Sequence, residues 1–266
     1  LHLSIRRQRQ MCIRDSATGR TIEDVASVQK SITAMLVGIA QHKGLLKITD
    51  PVHKHLGKGW SKAPAAAEAK ITIRHLITMS SGLNKSMKFV EPSGTKWFYN
   101  NGAYSKALTC VSKAAKMDAN ELTKKWLTEP LGMKDSRWAV RPWQKSVRTD
   151  ANRYGFATTA RDLARFGILM LANGYWEKKK VIEDKAYLKA AISPSTKLNP
   201  SYGYLWWLNG GPFVARGNGQ KKQGRLIFAA PKDMYAAQGK LGRRLYVLPT
   251  HQLVITRLGD QSSSSF

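Results

Sequence analysis

The chain has 266 residues and a 42% hydrophobic content, enough to fill one large core or two interleaved lobes, so a globular protein is expected. Lys and Arg number 44 against 17 Asp and Glu, a net charge of +27 that would suit nucleic acid or an anionic membrane surface. The charge is scattered, with only Lys178 to Lys180 and Lys221-Lys222 as short runs, so a solvated surface is the better reading and no nucleic-acid partner is expected. No stretch approaches the roughly 20 apolar residues that span a bilayer. Cys12 and Cys110 form no Cys-x-x-Cys pair and His53 and His55 lack a third ligand, so no metal centre is expected.

Residues 1–16, closing on Gln10-Met11-Cys12-Ile13-Arg14-Asp15-Ser16, look like a translated adapter string and are expected to be a non-native leader ahead of a single domain over 17–266. The native amino terminus, with any export signal, would then lie outside this sequence. From Ser27 onward, Ile32, Met35, Leu36, Ile39 and Ala40 recur at helical spacing and Gly44 supplies a stop, which predicts a buried helix with a serine at its amino end. Thr72 caps a second helix through His75 to Met79, ended by Ser80-Ser81-Gly82. A third runs from about Gly102 to Ala115, a short one covers Trp126 to Leu131 before Gly132, and Thr159 with Asp162 opens another over Leu163 to Leu171.

Roughly 45–200 is therefore expected to be a helical lobe. After Tyr202 the pattern changes. Tyr204 to Leu208, Leu226 to Ala229, Met234 to Ala237, Leu245 to Leu248 and Leu253 to Leu258 are short aromatic or β-branched runs separated by Gly, Pro and Asn, which predicts sheet strands mainly over 202–258. The last two read as a hairpin through Pro249-Thr250-His251. Only Ser262 to Ser265 is low in complexity.

Ser27 and Lys30 are three apart on one helix, so hydroxyl and amine share a face and the amine is a candidate base. A serine hydroxyl is a poor nucleophile until something takes its proton. The helix start adds a backbone N–H and a positive dipole end for a developing oxyanion. Ser-x-x-Lys alone is a weak signal, but here a long apolar helix follows it, and burial is what lowers a lysine pKa far enough for a base. Further on, Trp97-Phe98-Tyr99-Asn100-Asn101 contains a Tyr-x-Asn, preceded by Pro92-Ser93-Gly94-Thr95-Lys96. A Gly-x-Ser-x-Gly elbow, a phosphate-binding Gly-x-x-x-x-Gly-Lys-Ser/Thr and a dinucleotide fingerprint are all absent from the sequence.

Together with Ser27-Val28-Gln29-Lys30-Ser31, four further segments resemble the β-lactamase-related serine hydrolase family of serine β-lactamases and penicillin-binding proteins. They are Thr72 to Leu83, Gly94 to Asn101, Glu129-Pro130-Leu131-Gly132-Met133 and Thr158 to Gly167, in family order. The resemblance implies an α/β fold of the β-lactamase/transpeptidase-like class: an antiparallel sheet flanked by helices, with an all-helical lobe inserted. It implies that Ser27 forms the acyl-enzyme, that Lys30 shuttles its proton, that Tyr99 is the partner acid or base, and that Asn101 orients Lys30 or the substrate amide. A tyrosine works as a base near neutral pH only if cations stabilise its phenolate, and Lys30 is the obvious cation.

The family's third motif, often Lys-Thr-Gly on a strand lining the cleft, has two candidates here. Lys240-Leu241-Gly242 fits by composition; Ala237-Gln238-Gly239 sits at the better distance before Leu245 and is favoured. A backbone N–H between Gln238 and Lys240 would join that of Ser27 in the oxyanion site. Of Trp206 and Trp207, adjacent on a strand, at most one can line a pocket. The reading is a hydrolase of small amides or esters, similar to the 6-aminohexanoate-dimer hydrolase branch, working without metal or organic cofactor. A β-lactamase or D,D-peptidase is the alternative, and a catalytically silent binding protein is the alternative of another class. The resemblance favours a periplasmic or secreted location.

Overall fold

A computed structural model describes residues 21–141, 153–216 and 220–259. The expected leader, Cys12 and the Ser262 to Ser265 tail lie outside the described residues. Strand β1 (Glu23–Asp24) runs through a 3-10 turn, Ala26–Val28, into α1 (Gln29–His42). Every residue of α1 from Gln29 to Ala40 is buried, as its sequence demands, because Ala34, Val37 and Gly38 extend the apolar stripe around the helix.

Helix α2 (Ile73–Ile77) begins at Thr72, whose hydroxyl accepts the His75 N–H while the His75 ring accepts the Thr72 N–H. It stops two residues earlier than expected, since Met79 has turned to a positive φ of 58°. Helix α3 (Asn101–Ala115) is capped by Asn100, whose side-chain oxygen accepts from Gly102 and Ala103 at 3.0 and 3.2 Å. Ala103, Tyr104, Ala107, Cys110 and Val111 form its buried stripe, which packs on α1. The short helix expected at Trp126 is a helical turn, Ala119–Thr123, continued by a π-helical one, Lys124–Thr128.

Two antiparallel strands then interrupt the helices. Strands β2 (Arg137–Val140) and β3 (Tyr154–Thr158) pair with β1 in the order β1-β3-β2. The 45–200 span thus also holds strand pairing, and a small hairpin, Tyr175–Trp176 with Lys179–Lys180, adds to it. These strands are too short for alternation to announce them. Helix α4 (Ala160–Leu171) starts at Thr159, whose hydroxyl accepts the Asp162 N–H at 3.2 Å. It packs on the main sheet rather than on the other helices.

That sheet comprises β4 (Trp207–Leu208), β5 (Tyr235–Gln238), β6 (Arg244–Leu248) and β7 (Leu253–Arg257), antiparallel in the order β7-β6-β5-β4. Leu245 and Val254 project toward α4, where a Cβ on Gly167 would come within 2.7 and 2.5 Å of their methyl groups, so the glycine lets the helix lie on the sheet. The β6-β7 hairpin closes through a 3-10 turn, Pro249–His251, as the sequence predicts. Leu226 to Ala229 corrects the sequence reading. It is turn rather than strand, and its Phe228 is 82% exposed, because the polar carbonyls of Ile227, Ala230 and Pro231 are gathered by the Asn209 amide instead of a neighbouring strand.

Candidate active site

Ser27 lies on the 3-10 turn that opens into α1, and Lys30 lies in the first turn of α1 itself. The i, i+3 spacing brings Lys30 Nζ to 2.9 Å from Ser27 Oγ, with the amine as donor. The residue before the serine, Ala26, holds a left-handed φ of 49°, and its N–H donates to Asp24 Oδ1 at 2.7 Å. A non-glycine residue there costs on the order of 1 kcal/mol or more, a strain that gathers at working sites.

Lys30 is 3% exposed and sits between two aromatic rings, 4.8 Å from the Tyr99 centroid and 4.2 Å from that of Tyr104. Burial, reinforced by the nearby Arg141 charge, holds its amine well below the usual lysine range. Tyr99 is hydrogen-bonded to Ser27, yet burial raises its phenol above its ordinary value. Desolvation disfavours the charged form of both groups, so burial opposes a Lys30 cation beside a Tyr99 phenolate.

Asn101 opens α3 with its side-chain oxygen buried and without a hydrogen-bond partner among the described residues. It makes no bond to Lys30. Its neighbour Asn100 is fully used, donating to the Leu83 and Asn84 carbonyls at 2.8 Å while capping α3.

Ala237 and Gln238 end β5, and Gly239 follows in extended conformation. A Cβ on Gly239 would come within 2.4 Å of the Val25 carbonyl oxygen and 3.3 Å of Ala26 Cβ, so the strand end presses against the turn that carries Ser27. Strand β4 pairs only with Tyr235 and Ala236, which leaves the rest of β5 open along that edge. The Gly239 N–H donates to the Arg243 carbonyl at 2.8 Å; by antiparallel alternation those of Gln238 and Lys240 face the open edge. The Ala237 side chain is buried and Lys240 is exposed on a 3-10 turn, Lys240–Gly242. The structure thus brings the end of Ala237-Gln238-Gly239 to the turn that carries Ser27 and turns the Lys240 side chain to solvent.

The two tryptophans part as strand geometry requires. Trp206 is fully buried, stacked on Phe166 and edge-on to Tyr235. Trp207 is half-buried and stacks on Tyr99 at 6.2 Å, with Trp97 and Tyr202 completing an aromatic wall. Burial pushes the Cys110 thiol up to about 12, which removes it as a competing nucleophile. Among the described residues no three His, Cys, Asp or Glu side chains gather as metal ligands, and no helix is long and apolar enough to cross a membrane. His55 instead meets Asp50 at 3.0 Å.

Sequence reasoning missed Asp24, Gln29, Tyr104 and Arg141, which form one bonded set beside Lys30. Gln29 Nε2 donates to the Tyr104 phenol oxygen at 2.6 Å, and Gln29 Oε1 accepts from Arg141 Nη2 at 3.0 Å. Arg141 also grips Asp24 through Nε and Nη2. Gln29 lies inside the Ser-x-x-Lys segment and Tyr104 on the inner stripe of α3, so both carried a local signal. Asp24 and Arg141 are 117 positions apart, and nothing local links them.

A chain with this sheet, this inserted helical region and a Ser–Lys–Tyr cluster at their junction is of the serine β-lactamase and penicillin-binding-protein class. Residues 7–264 match the sequence profile of the β-lactamase family, and the chain belongs to that family of hydrolases. An uncharacterized protein of Alkalihalophilus pseudofirmus is 26% identical over 255 residues, covering 88% of this chain and 72% of its own length. Among solved structures, a Bacteroides dorei protein provisionally titled a β-lactamase superposes with a TM-score of 0.73 at 18% identity, over 94% of this chain and 81% of that one. A Bacillus anthracis protein provisionally titled a 6-aminohexanoate-dimer hydrolase gives 0.70 at 16% identity, over 95% and 70%. At these identities the two structures speak for the fold.

Proposed function

We propose that this protein is a serine hydrolase that cleaves a small amide or ester through an acyl-enzyme on Ser27. The observation that carries the reading is the buried Lys30 amine, 2.9 Å from a Ser27 hydroxyl that also bonds Tyr99. A free amine takes the serine proton as Oγ attacks the substrate carbonyl, forming the Oγ–C bond and a tetrahedral oxyanion. The N–H of Ser27, at the helix start, and an edge N–H of Gln238 or Lys240 are the donors for that oxyanion. As the bond to the leaving group breaks, the neutral Tyr99 phenol gives the departing nitrogen or oxygen a proton and regains one from the Lys30 ammonium. Water then attacks the ester, yields its proton to the freed amine, and the acid product leaves as Ser27 is reprotonated.

The unpartnered Asn101 oxygen supports an amide N–H as one substrate feature, since a buried acceptor without a donor is costly to keep. The half-buried Tyr99 and Trp207 rings, backed by the buried Trp97, suit an apolar acyl group. Ala237 offers no cation where a substrate carboxylate would sit, which favours neutral esters and linear amides over penicillins. Turnover of a short-chain nitrophenyl ester, a linear amide and a penicillin, each with wild type and Ser27→Ala, tests the reading. Ester or amide hydrolysis that vanishes in Ser27→Ala is expected; hydrolysis that persists in the variant refutes it. Rapid hydrolysis of the penicillin would favour the β-lactamase alternative, and inertness toward all three a binding role.

A further inference from the structure

The Arg141 guanidinium has no part in those proton transfers, yet it is 8% exposed and tied to both ends of the Ser27–Lys30 pair. It follows the last residue of β2, and its backbone N–H donates to the Arg153 carbonyl at 2.8 Å. One arm runs through Asp24, which accepts from Nε and, at 2.8 Å, from Nη2, and whose Oδ1 also takes the N–H of Ala26 immediately before the serine. The other runs through Gln29. Its Oε1 takes Nη2 at 3.0 Å and the Phe156 N–H at 3.1 Å, while its Nε2 holds the Tyr104 phenol at 2.6 Å, over the ring face that Lys30 meets.

A buried ion pair is a poor way to gain stability, because desolvation offsets much of the attraction and an apolar pair of the same volume often serves as well. Its placement suggests a different use. Lys30 meets Ser27 on its own turn and the Tyr99 and Tyr104 rings, and it feels the charge of Arg141 after the end of β2, which is ion-paired to Asp24 of β1; the near end of β5, Ala237-Gln238-Gly239, brings no charge. Two ring faces alone would attract an ammonium. Burial and the guanidinium oppose it, in that order.

We propose that Arg141 is a positioning residue of the acyl-transfer site: it fixes the backbone before Ser27 through Asp24, holds Tyr104 over Lys30 through Gln29, and opposes a second positive charge on the amine. The proposal rests on the reading of Ser27 as nucleophile and Lys30 as base. A base must be unprotonated, so reactivity rises with pH through the Lys30 titration, and removing an opposing cation moves that rise to higher pH.

The test is the pH dependence of covalent labelling at Ser27 by a fluorophosphonate, followed by intact mass and peptide mapping, which needs no knowledge of the natural substrate. Arg141→Met is expected to move the acid limb up by about one pH unit or more, the usual scale for one nearby charge, so labelling on the limb falls about tenfold and recovers in alkali. Arg141→Lys keeps the charge and should keep the limb, with slower labelling throughout. Asp24→Asn combined with Arg141→Met leaves no orphaned carboxylate; it should also shift the limb upward, and it decides the matter if the single variant does not fold. A uniform loss at every pH with an unmoved limb would mean that Arg141 only supports the fold, and would overturn the proposal. Absence of label on Ser27 in the wild type is a different failure, which removes the nucleophile assignment itself and the proposal with it.

Discussion

The two walls of the site work in different ways. The α1 wall presents side chains, Ser27 and Lys30, with the Lys30 amine buried against Tyr99 and Tyr104. The β5 wall presents backbone: a glycine that touches the nucleophile turn and an open edge, with a buried Ala237 and a Lys240 side chain in solvent. In the proposed mechanism bond-making chemistry is concentrated on the helix, and the strand supplies shape and N–H groups. Substitutions on the helix should remove catalysis, whereas those on the strand should matter only where they move its backbone.

The largest effects are expected on the helix wall. Lys30→Ala and Tyr99→Phe should each lower turnover by roughly 10²-fold or more, the scale for losing a general acid or base. The double variant should lose less than the product of the two, because groups acting as one proton-transfer unit are not additive. Steady-state kinetics on one ester decides this, and full multiplicativity would assign the two residues to separate steps.

On the strand wall, Gly239→Ala should be the damaging change. Its Cβ would stand 2.4 Å from the Val25 carbonyl, and backbone must move to admit it. A turnover loss of about tenfold or more is expected, with little change in fluorescence of the buried Trp206, since a 1 Å misplacement near a reacting centre can cost 10²-fold. Wild-type activity in this variant would detach β5 from the site. Lys240→Ala, which keeps its N–H, should change ester turnover by less than about threefold and leave penicillin hydrolysis as weak as before. Efficient penicillin turnover that collapses in Lys240→Ala would instead give the strand wall a cationic side chain.

The smallest effect lies away from both walls, at Asp50. Burial alone would raise its carboxyl, but hydrogen bonds from Lys54, the Lys47 N–H and His55 outweigh it and hold the group at about 2. The folded value is below the ordinary 3.8, so the stabilisation is complete above pH 4 and is lost as the pH falls toward 2. Asp50→Asn should lower the melting temperature by a few degrees at neutral pH, and thermal scans should show the difference closing in acid.

How much of this was legible in sequence follows from distance along the chain. Ser27 with Lys30, Asn100-Asn101 at the start of α3, and the Thr72 and Thr159 caps are local patterns, and each folds as its spacing dictates. The resemblance to a known family implied an antiparallel sheet flanked by helices and favoured Ala237-Gln238-Gly239 over Lys240-Leu241-Gly242, a choice composition did not make; the order of the strands was not legible. The burial of Lys30 was legible from the apolar helix behind it, but its place between two rings was not, because Tyr99 and Tyr104 come from the start of α3 and the residues just before it. Arg141 and Asp24 were invisible for the same reason. Leu226 to Ala229 had strand composition but no neighbour to pair with, and composition cannot report a missing neighbour.

The central claim, that the α1 wall carries the nucleophile, is tested most directly by covalent labelling. A serine-directed phosphonate should add a single group to the wild-type protein at pH 8, and peptide mapping should place it on Ser27. Ser27→Ala should take up none. A label that maps elsewhere, or that survives Ser27→Ala at the wild-type rate, would contradict the account.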